Sequence, residues 1–214
     1  MISNRLKCIA KYTKGFNKLL DVGSDHGLLP IYAIENNYCT KAIASDINEK
    51  PLIKAKENFL KHNLDIELIV TDGIPKTDSD VIVIAGMGAE LIIKILEKTL
   101  KNAINLKRLV LSPNTDYFIL REYLNHKFNI ILEEVIYDKN HYYEVIVAEI
   151  GDSNYTYEEL YFGPKLLEEK SEVFISKYKK ELKTLKNIYP NITDEIKKKD
   201  IKKEIDMIEG IIYA

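Results

Sequence analysis

The stretch KLLDVGSDHGLLPI, residues 18–31, sets Asp21, Ser24, Asp25 and His26 around Gly23 and Gly27. An apolar strand leading into a glycine loop and an apolar helix is a layout that offers backbone N–H groups to a phosphate. Asp25 argues against that ligand. A carboxylate about 4 Å from a unit charge interacts by roughly 4 kcal/mol at an effective dielectric near 20, with the sign set by that charge. A pyrophosphate would be repelled, whereas the sulfonium and ammonium groups of S-adenosylmethionine would be attracted. Asp21, one strand step before Gly23, deepens the same negative pocket.

Three further segments carry acidic or small residues where strands are expected to end. Asp46, followed by Ile47, stands at the distance from Gly23 at which a carboxylate meets the ribose hydroxyls of an adenosine. Asp72 and Gly73 could accept from an adenine amino group and permit its close approach. Gly86 and Met87 leave bare backbone beside a ligand. Each position has a plainer reading: Asp25 as a helix cap, Asp72 as a turn former, the glycines as packing sites, and His26 as a hydrogen-bonded structural residue. Their shared place on one sheet edge favours a ligand site. Asp46 alone leaves an NAD-type module open, and the charge of the first loop favours the methyl donor.

The elements that must hold these residues follow from periodicity. Strands are expected at Lys18 to Val22, Lys41 to Asp46, Ile66 to Val70, Asp80 to Ala85, Lys107 to Leu111, Asn129 to Tyr137 and Tyr143 to Ile150, with helices between the first six. VIVIA and RLVL are apolar on both faces, as central parallel strands are, and the last two strands can pair antiparallel. The fold expected is α/β, a seven-stranded Rossmann-like class I methyltransferase sheet. From Tyr157 to Tyr189 the chain is helix-favouring, with Ile175, Tyr178, Leu182, Leu185 and Tyr189 on one face. After Pro190, Ile201, Ile205, Ile208 and Ile212 repeat the spacing, so a C-terminal antiparallel, coiled-coil-like hairpin is expected. The domains are read as 1–153 for cofactor binding and 154–214 for the hairpin.

Composition narrows the class. The 214 residues are 46% hydrophobic, enough for one full core and an appendage, and no apolar run approaches a membrane span. The first residues lack a signal-peptide core, so a cytoplasmic protein is expected. Cys8 and Cys39 make no disulfide framework, the four histidines show no metal-ligand spacing, and no metal is expected. A monomer is expected. The net charge of −2 conceals a basic start, where Arg5, Lys7, Lys11, Lys14 and Lys18 precede the first acidic residue. This is either a solvated helix face or a phosphate-binding patch.

DVGSDHGLLPI, SDIN at 45–48, TDG at 71–73, DVIVIAGMG at 80–88, LSPN at 111–114 and YFGP at 161–164 resemble TrmK, the bacterial family that methylates N1 of adenine 22 in tRNA. Two departures are Gly27, where alanine is expected, and Ala89, where a second glycine is common. The resemblance implies that Asp21, Gly23, Ser24, Asp25, His26 and Gly27 surround the methionine part of S-adenosylmethionine. It places Asp46 and Ile47 at the ribose and adenine, Asp72 and Gly73 at the adenine edge, and Gly86 and Met87 toward the methyl group. Asn114 would face the target base. It also implies that the hairpin helps hold tRNA, through Lys177, Lys180 and Lys183 with Arg5, Lys7, Lys11 and Lys14. Adenine N1 carries an in-plane lone pair and needs no base to deprotonate it, so positioning dominates. Asp25 is the candidate for stabilising the positive charge that methylation leaves on the base, and Asn114 for orienting its amine. Because N1 lies on the pairing edge, the adenine must be unpaired or turned out. Another RNA site or a small molecule remains open as the acceptor.

Overall fold

The computed structural model describes residues 2–213, so the first and last residues of the expected domains, Met1 and Ala214, lie outside it. Seven strands, β1 (Lys18–Val22), β2 (Lys41–Asp46), β3 (Glu67–Val70), β4 (Val81–Ala85), β5 (Arg108–Ser112), β6 (Phe128–Asp138) and β7 (His141–Ile150), form one sheet in the order β3-β2-β1-β4-β5-β7-β6. The first five are parallel. β7 runs antiparallel between β5 and β6.

Alternation along the strands builds two cores. Leu19, Val81, Val83 and Val110 enter one, while Leu20, Ile82, Ile84, Leu109 and Leu111 enter the other. VIVIA therefore reads as apolar throughout because each side chain in turn meets a different helix layer. The helices are α1 (Asn4–Lys11), α2 (Leu28–Glu35), α3 (Glu49–Lys61), α4 (Ala89–Thr99) and α5 (Tyr117–Leu124). Ser3 caps α1, its hydroxyl accepting from the Leu6 amide at 3.2 Å.

No helix joins β3 to β4, contrary to the expectation of one in every gap. Residues 71–80 hold Gly73 and Pro75 and no apolar period, so a loop makes this crossover. The β6–β7 turn is the tight kind, with Lys139 and Asn140 both at positive φ, 49° and 65°. It projects Asp138 and Lys139 toward the carboxyl edge of the sheet.

After β7 come α6 (Tyr157–Phe162), α7 (Pro164–Glu169), α8 (Glu172–Ile188) and α9 (Glu195–Tyr213). The single helix expected over Tyr157 to Tyr189 is thus three. Gly163 sits at φ 98° before Pro164, and Lys170 at φ 46°, conformations that end a helix. The chain divides into two compact units after Lys165 rather than after residue 153, because α6 packs on α5. In the second unit α8 buries Phe174, Tyr178, Leu182 and Leu185, and α9 buries Ile205 and Ile208. The two helices touch, with Lys186 paired to Glu209. No helix among the described residues is long and apolar enough to cross a membrane.

Under α6 lies a buried ion cluster that the charge pattern alone did not reveal. Arg121 is wholly buried, its Nε 2.7 Å from Glu133 and its Nη2 bonded to Glu144, both carboxylates equally buried. Its Nη1 donates to the carbonyls of Leu160 and Tyr161, each at 3.3 Å, and the Lys165 amide donates to Glu133 at 3.0 Å. A Cβ on Gly163 would stand 2.6 Å from Glu133 Oε2 and 2.7 Å from Arg121 Nη2. The YFGP segment is therefore the backbone seat of this cluster.

Candidate functional site

The strand order reverses direction between β1 and β4, and ligands of open α/β sheets bind at that point, outside the carboxyl ends. A cavity of about 360 Å³ opens there, lined by Asp21, Gly23, Asp25 and Gly86 together with Arg5, Asp138, Lys139 and Tyr143. Backbone bonds fix its floor. The amides of Gly23 and Ser24 both donate to Ser45 O, at 2.8 and 2.9 Å, which sets the first loop directly beside Asp46. Asp46 Oδ1 accepts from the Asn48 amide at 2.7 Å, so the carboxylate is held at the tip of β2.

Gly23 adopts φ 78°, and a Cβ there would stand 2.7 Å from Met87 Cε. Gly27, at φ 65°, has the Phe59 ring 2.3 Å from where its Cβ would be, so glycine here is demanded by packing as well as by backbone. The departure from alanine thus follows from Phe59. Ser24 is buried and His26 half-exposed, at φ 61°.

Asp25 does not cap the following helix. The N-cap of α2 is Gly27, with no side-chain bond. The Asp25 side chain is 75% exposed at the cavity, with His26 Nε2 3.3 Å from its Oδ1. Asp21, by contrast, is buried at the end of β1. Burial pushes its carboxyl up to about 6, Asp46 pushes the same way, and the Ser24 hydroxyl lowers it. A buried acid of this kind is a receptor for a cation, since a positive charge beside it restores the ionised form.

Asn114 lies behind the cavity lining and is bonded to two of its residues, Gly86 and Arg5. Its Nδ2 donates to Gly86 O at 2.8 Å and its amide to Met87 O at 2.9 Å, locking the loops after β4 and β5 together. Its Oδ1 accepts from Arg5 Nη1 at 2.9 Å. Arg5 also donates to Ser112 O at 2.7 Å and to Ser112 Oγ, and its guanidinium lies 4.1 Å over the Tyr143 ring. Arg5 is therefore a wall of the site rather than part of an open basic patch. Lys11 is likewise engaged, 2.8 Å from Glu134. Lys7 is half-buried and Lys14 exposed.

Two of the expected ligand residues turn elsewhere. The Asp72 carboxylate pairs with Lys98 and lies with Leu91 and Ile95 in a separate hollow along α4. A Cβ on Gly73 would meet Thr99 Oγ1 at 2.7 Å, so close packing on α4 accounts for that glycine. Ile47 is 61% exposed beyond the tip of β2. In the second unit Lys177 lies 4.4 Å over the Tyr178 ring, and Lys180 and Lys183 are exposed. Tyr143 and Ser112 were not anticipated, although Ser112 lies inside the LSPN segment.

Residues 19–211 match the family model TrmK, tRNA (adenine(22)-N(1))-methyltransferase. The tRNA (adenine(22)-N(1))-methyltransferase of Bacillus subtilis (strain 168) is 35% identical over 224 residues, 97% of this chain and 94% of that one. A Streptococcus pneumoniae protein solved in complex with S-adenosyl-L-methionine is 34% identical, with a TM-score of 0.90 over 99% of this chain and all of that one. M. capricolum TrmK, solved with S-adenosyl-homocysteine, is 30% identical with a TM-score of 0.89, over 100% and 98% of the two chains.

Proposed function

Since the chain belongs to the TrmK family of tRNA (adenine(22)-N(1))-methyltransferases, we propose that the cavity between β1 and β4 is where it methylates N1 of adenine 22 in tRNA, with Asp25 and Asn114 on the acceptor side. The protein is an S-adenosylmethionine-dependent methyltransferase. The observation that carries the site assignment is the coincidence, at one switch point, of a buried acid at Asp21, an open carboxylate at Asp25 and glycine backbone at Gly23 and Gly86. A cytoplasmic site of action accords with a tRNA substrate.

The residues fit the cofactor. Bound there, S-adenosylmethionine supplies an electrophilic methyl on a sulfonium. Asp21, Gly23, Ser24, His26 and Gly27 hold its methionine part, and Asp46 and Ile47 its ribose and adenine. Gly86 and Met87 border the path to the methyl. Asp72 and Gly73 support that wall through α4. Asn114, clamped between Gly86 and Arg5, presents a fixed amide edge to the base. Asp25 offsets the positive charge that appears on the methylated ring. The lysines Lys7, Lys14, Lys177, Lys180 and Lys183 offer charge to the phosphate backbone.

Two binding results are expected. S-adenosylhomocysteine should bind and NADH should not, and Asp46→Ala should cost about 1–3 kcal/mol of that affinity, as a lost charge-assisted hydrogen bond does. Calorimetry giving NADH the tighter binding would overturn the cofactor assignment. The affinity should also depend on pH through Asp21, because the ammonium group favours the ionised acid. Below about 6 it should fall by about tenfold per pH unit, with proton release on binding, and above 6 it should level off. The unliganded fold shifts the other way, losing stability as pH rises through 6, because ionising Asp21 in the folded chain is what burial opposes. Asp21→Asn should flatten both dependences, and a wild-type affinity that stays constant from pH 5 to 8 would remove Asp21 from the cationic end of the site.

A further inference from the structure

Most aromatic side chains of the first unit are spent on the core or on backbone groups. Tyr155 is an example: its hydroxyl accepts from the Ile130 amide at 2.8 Å and donates to Asn129 at 3.1 Å. Tyr157, two residues on, is 62% exposed. Its ring lies 5.3 Å from that of Phe118 and 6.5 Å from that of Tyr161, the latter pair inclined by only 29°. These three rings make an aromatic surface that no part of the cofactor site uses.

Its position is defined by α5. Phe118 is in the first turn of that helix, which starts where β5 ends, so the ring lies on the same carboxyl edge as the cavity. It is four positions along the chain from Asn114, a span of at most about 14 Å. The Tyr157 ring meets that of Phe118 and so reaches the start of α5, while the backbone two residues before it is bonded at the other end of that helix, the Tyr155 amide donating to Asn125 at 3.1 Å. It is also held firmly. Thr156 and Glu159 form a reciprocal capping box at the start of α6, and Tyr157 is the first helical residue after the cap.

We propose that Tyr157, backed by Phe118 and Tyr161, is a stacking platform for the base of a nucleotide adjoining the target adenine. This rests on the reading of the chain as a methyltransferase of adenine 22 in tRNA. An adenine that is turned out to expose N1 leaves its neighbours without a stacking partner, and an exposed ring beside the site replaces what they lose. The surrounding charge points to base rather than phosphate contact, because Asp116 stands at the N-cap of α5 and Glu158 beside Tyr157. A phosphate would be repelled there. A π-face, by contrast, accepts any base.

The test is tRNA binding and methylation by Tyr157→Leu, Tyr157→Ala and Tyr157→Phe. Leucine keeps an apolar contact with Phe118 but has no ring, so folding and S-adenosylhomocysteine affinity should match the wild type. The Kd and KM for tRNA should rise about tenfold in the Leu and Ala variants, the scale of one lost base–aromatic stack. Phenylalanine should restore both. The dependence of log Kd on log salt should keep the wild-type slope, since no phosphate contact is removed. Unchanged tRNA affinity in Tyr157→Leu, or a Phe variant as impaired as the Ala one, would overturn the platform. Failure of the underlying reading looks different: the wild-type protein itself would neither bind nor methylate tRNA, and the platform would fall with it.

Discussion

Asp25→Asn should slow single-turnover methyl transfer to tRNA by roughly 10²-fold or more, the scale of a lost electrostatic stabiliser, while changing cofactor affinity modestly. Asparagine keeps the size and a hydrogen-bonding oxygen, so only the charge is removed. The carboxylate is 75% exposed in the free protein, where water screens it. Its effect grows when base and cofactor fill the cavity and displace that water. The capping alternative makes the opposite forecast, because asparagine caps as well as aspartate does. The α2 N-cap at Gly27, which lacks any side-chain bond, already disfavours it. Near-wild-type rates in a folded Asp25→Asn protein would leave Asp25 without a catalytic role.

Arg121→Leu should have the largest effect on stability. The substitution leaves Glu133 and Glu144 buried without their shared cation, and breaking a buried pair in this way costs about 3–5 kcal/mol. It also strips a donor from the Leu160 and Tyr161 carbonyls, loosening α6. Burial already raises Glu133 in the intact cluster, with Arg121 opposing it. Without Arg121 the carboxyls rise further, so the variant keeps its stability below the unfolded carboxyl pKa and loses it as pH rises through the folded value. Urea unfolding should therefore show a deficit that is small near pH 4 and full at pH 8. A loss under 1 kcal/mol at pH 8 would contradict the role given to the cluster. The same contacts mean that a truncation meant to isolate the cofactor-binding unit should end after Lys165, since cutting before Tyr157 would remove the seat of Arg121.

The sheet was legible because each strand alternates between two apolar layers and each strand end bears an acidic or small residue. Asp25 was legible as an anomaly, a charge where a glycine loop tolerates few. What sequence could not supply was pairing. Arg5 reads as one of several basic residues, and only the fold brings Ser112, Asn114 and Tyr143 around it. Asp72 reads as a ligand residue because nothing in the chain announces Lys98, 26 positions away, as its partner. The loop between β3 and β4 did carry a signal in Gly73 and Pro75, outweighed by the regular alternation around it. Glu133 and Glu144 also left a trace, as charges inside apolar strands, but a trace without its arginine reads as a solvated face.

The most direct test is the position of the methyl group after the purified protein acts on unmodified tRNA with S-adenosylmethionine. Digestion and mass mapping should find one methyl, on N1 of adenine 22, and none when that adenine is replaced by guanine. Methylation at any other nucleotide, or equal transfer to the replaced tRNA, would contradict the assignment of substrate to this site.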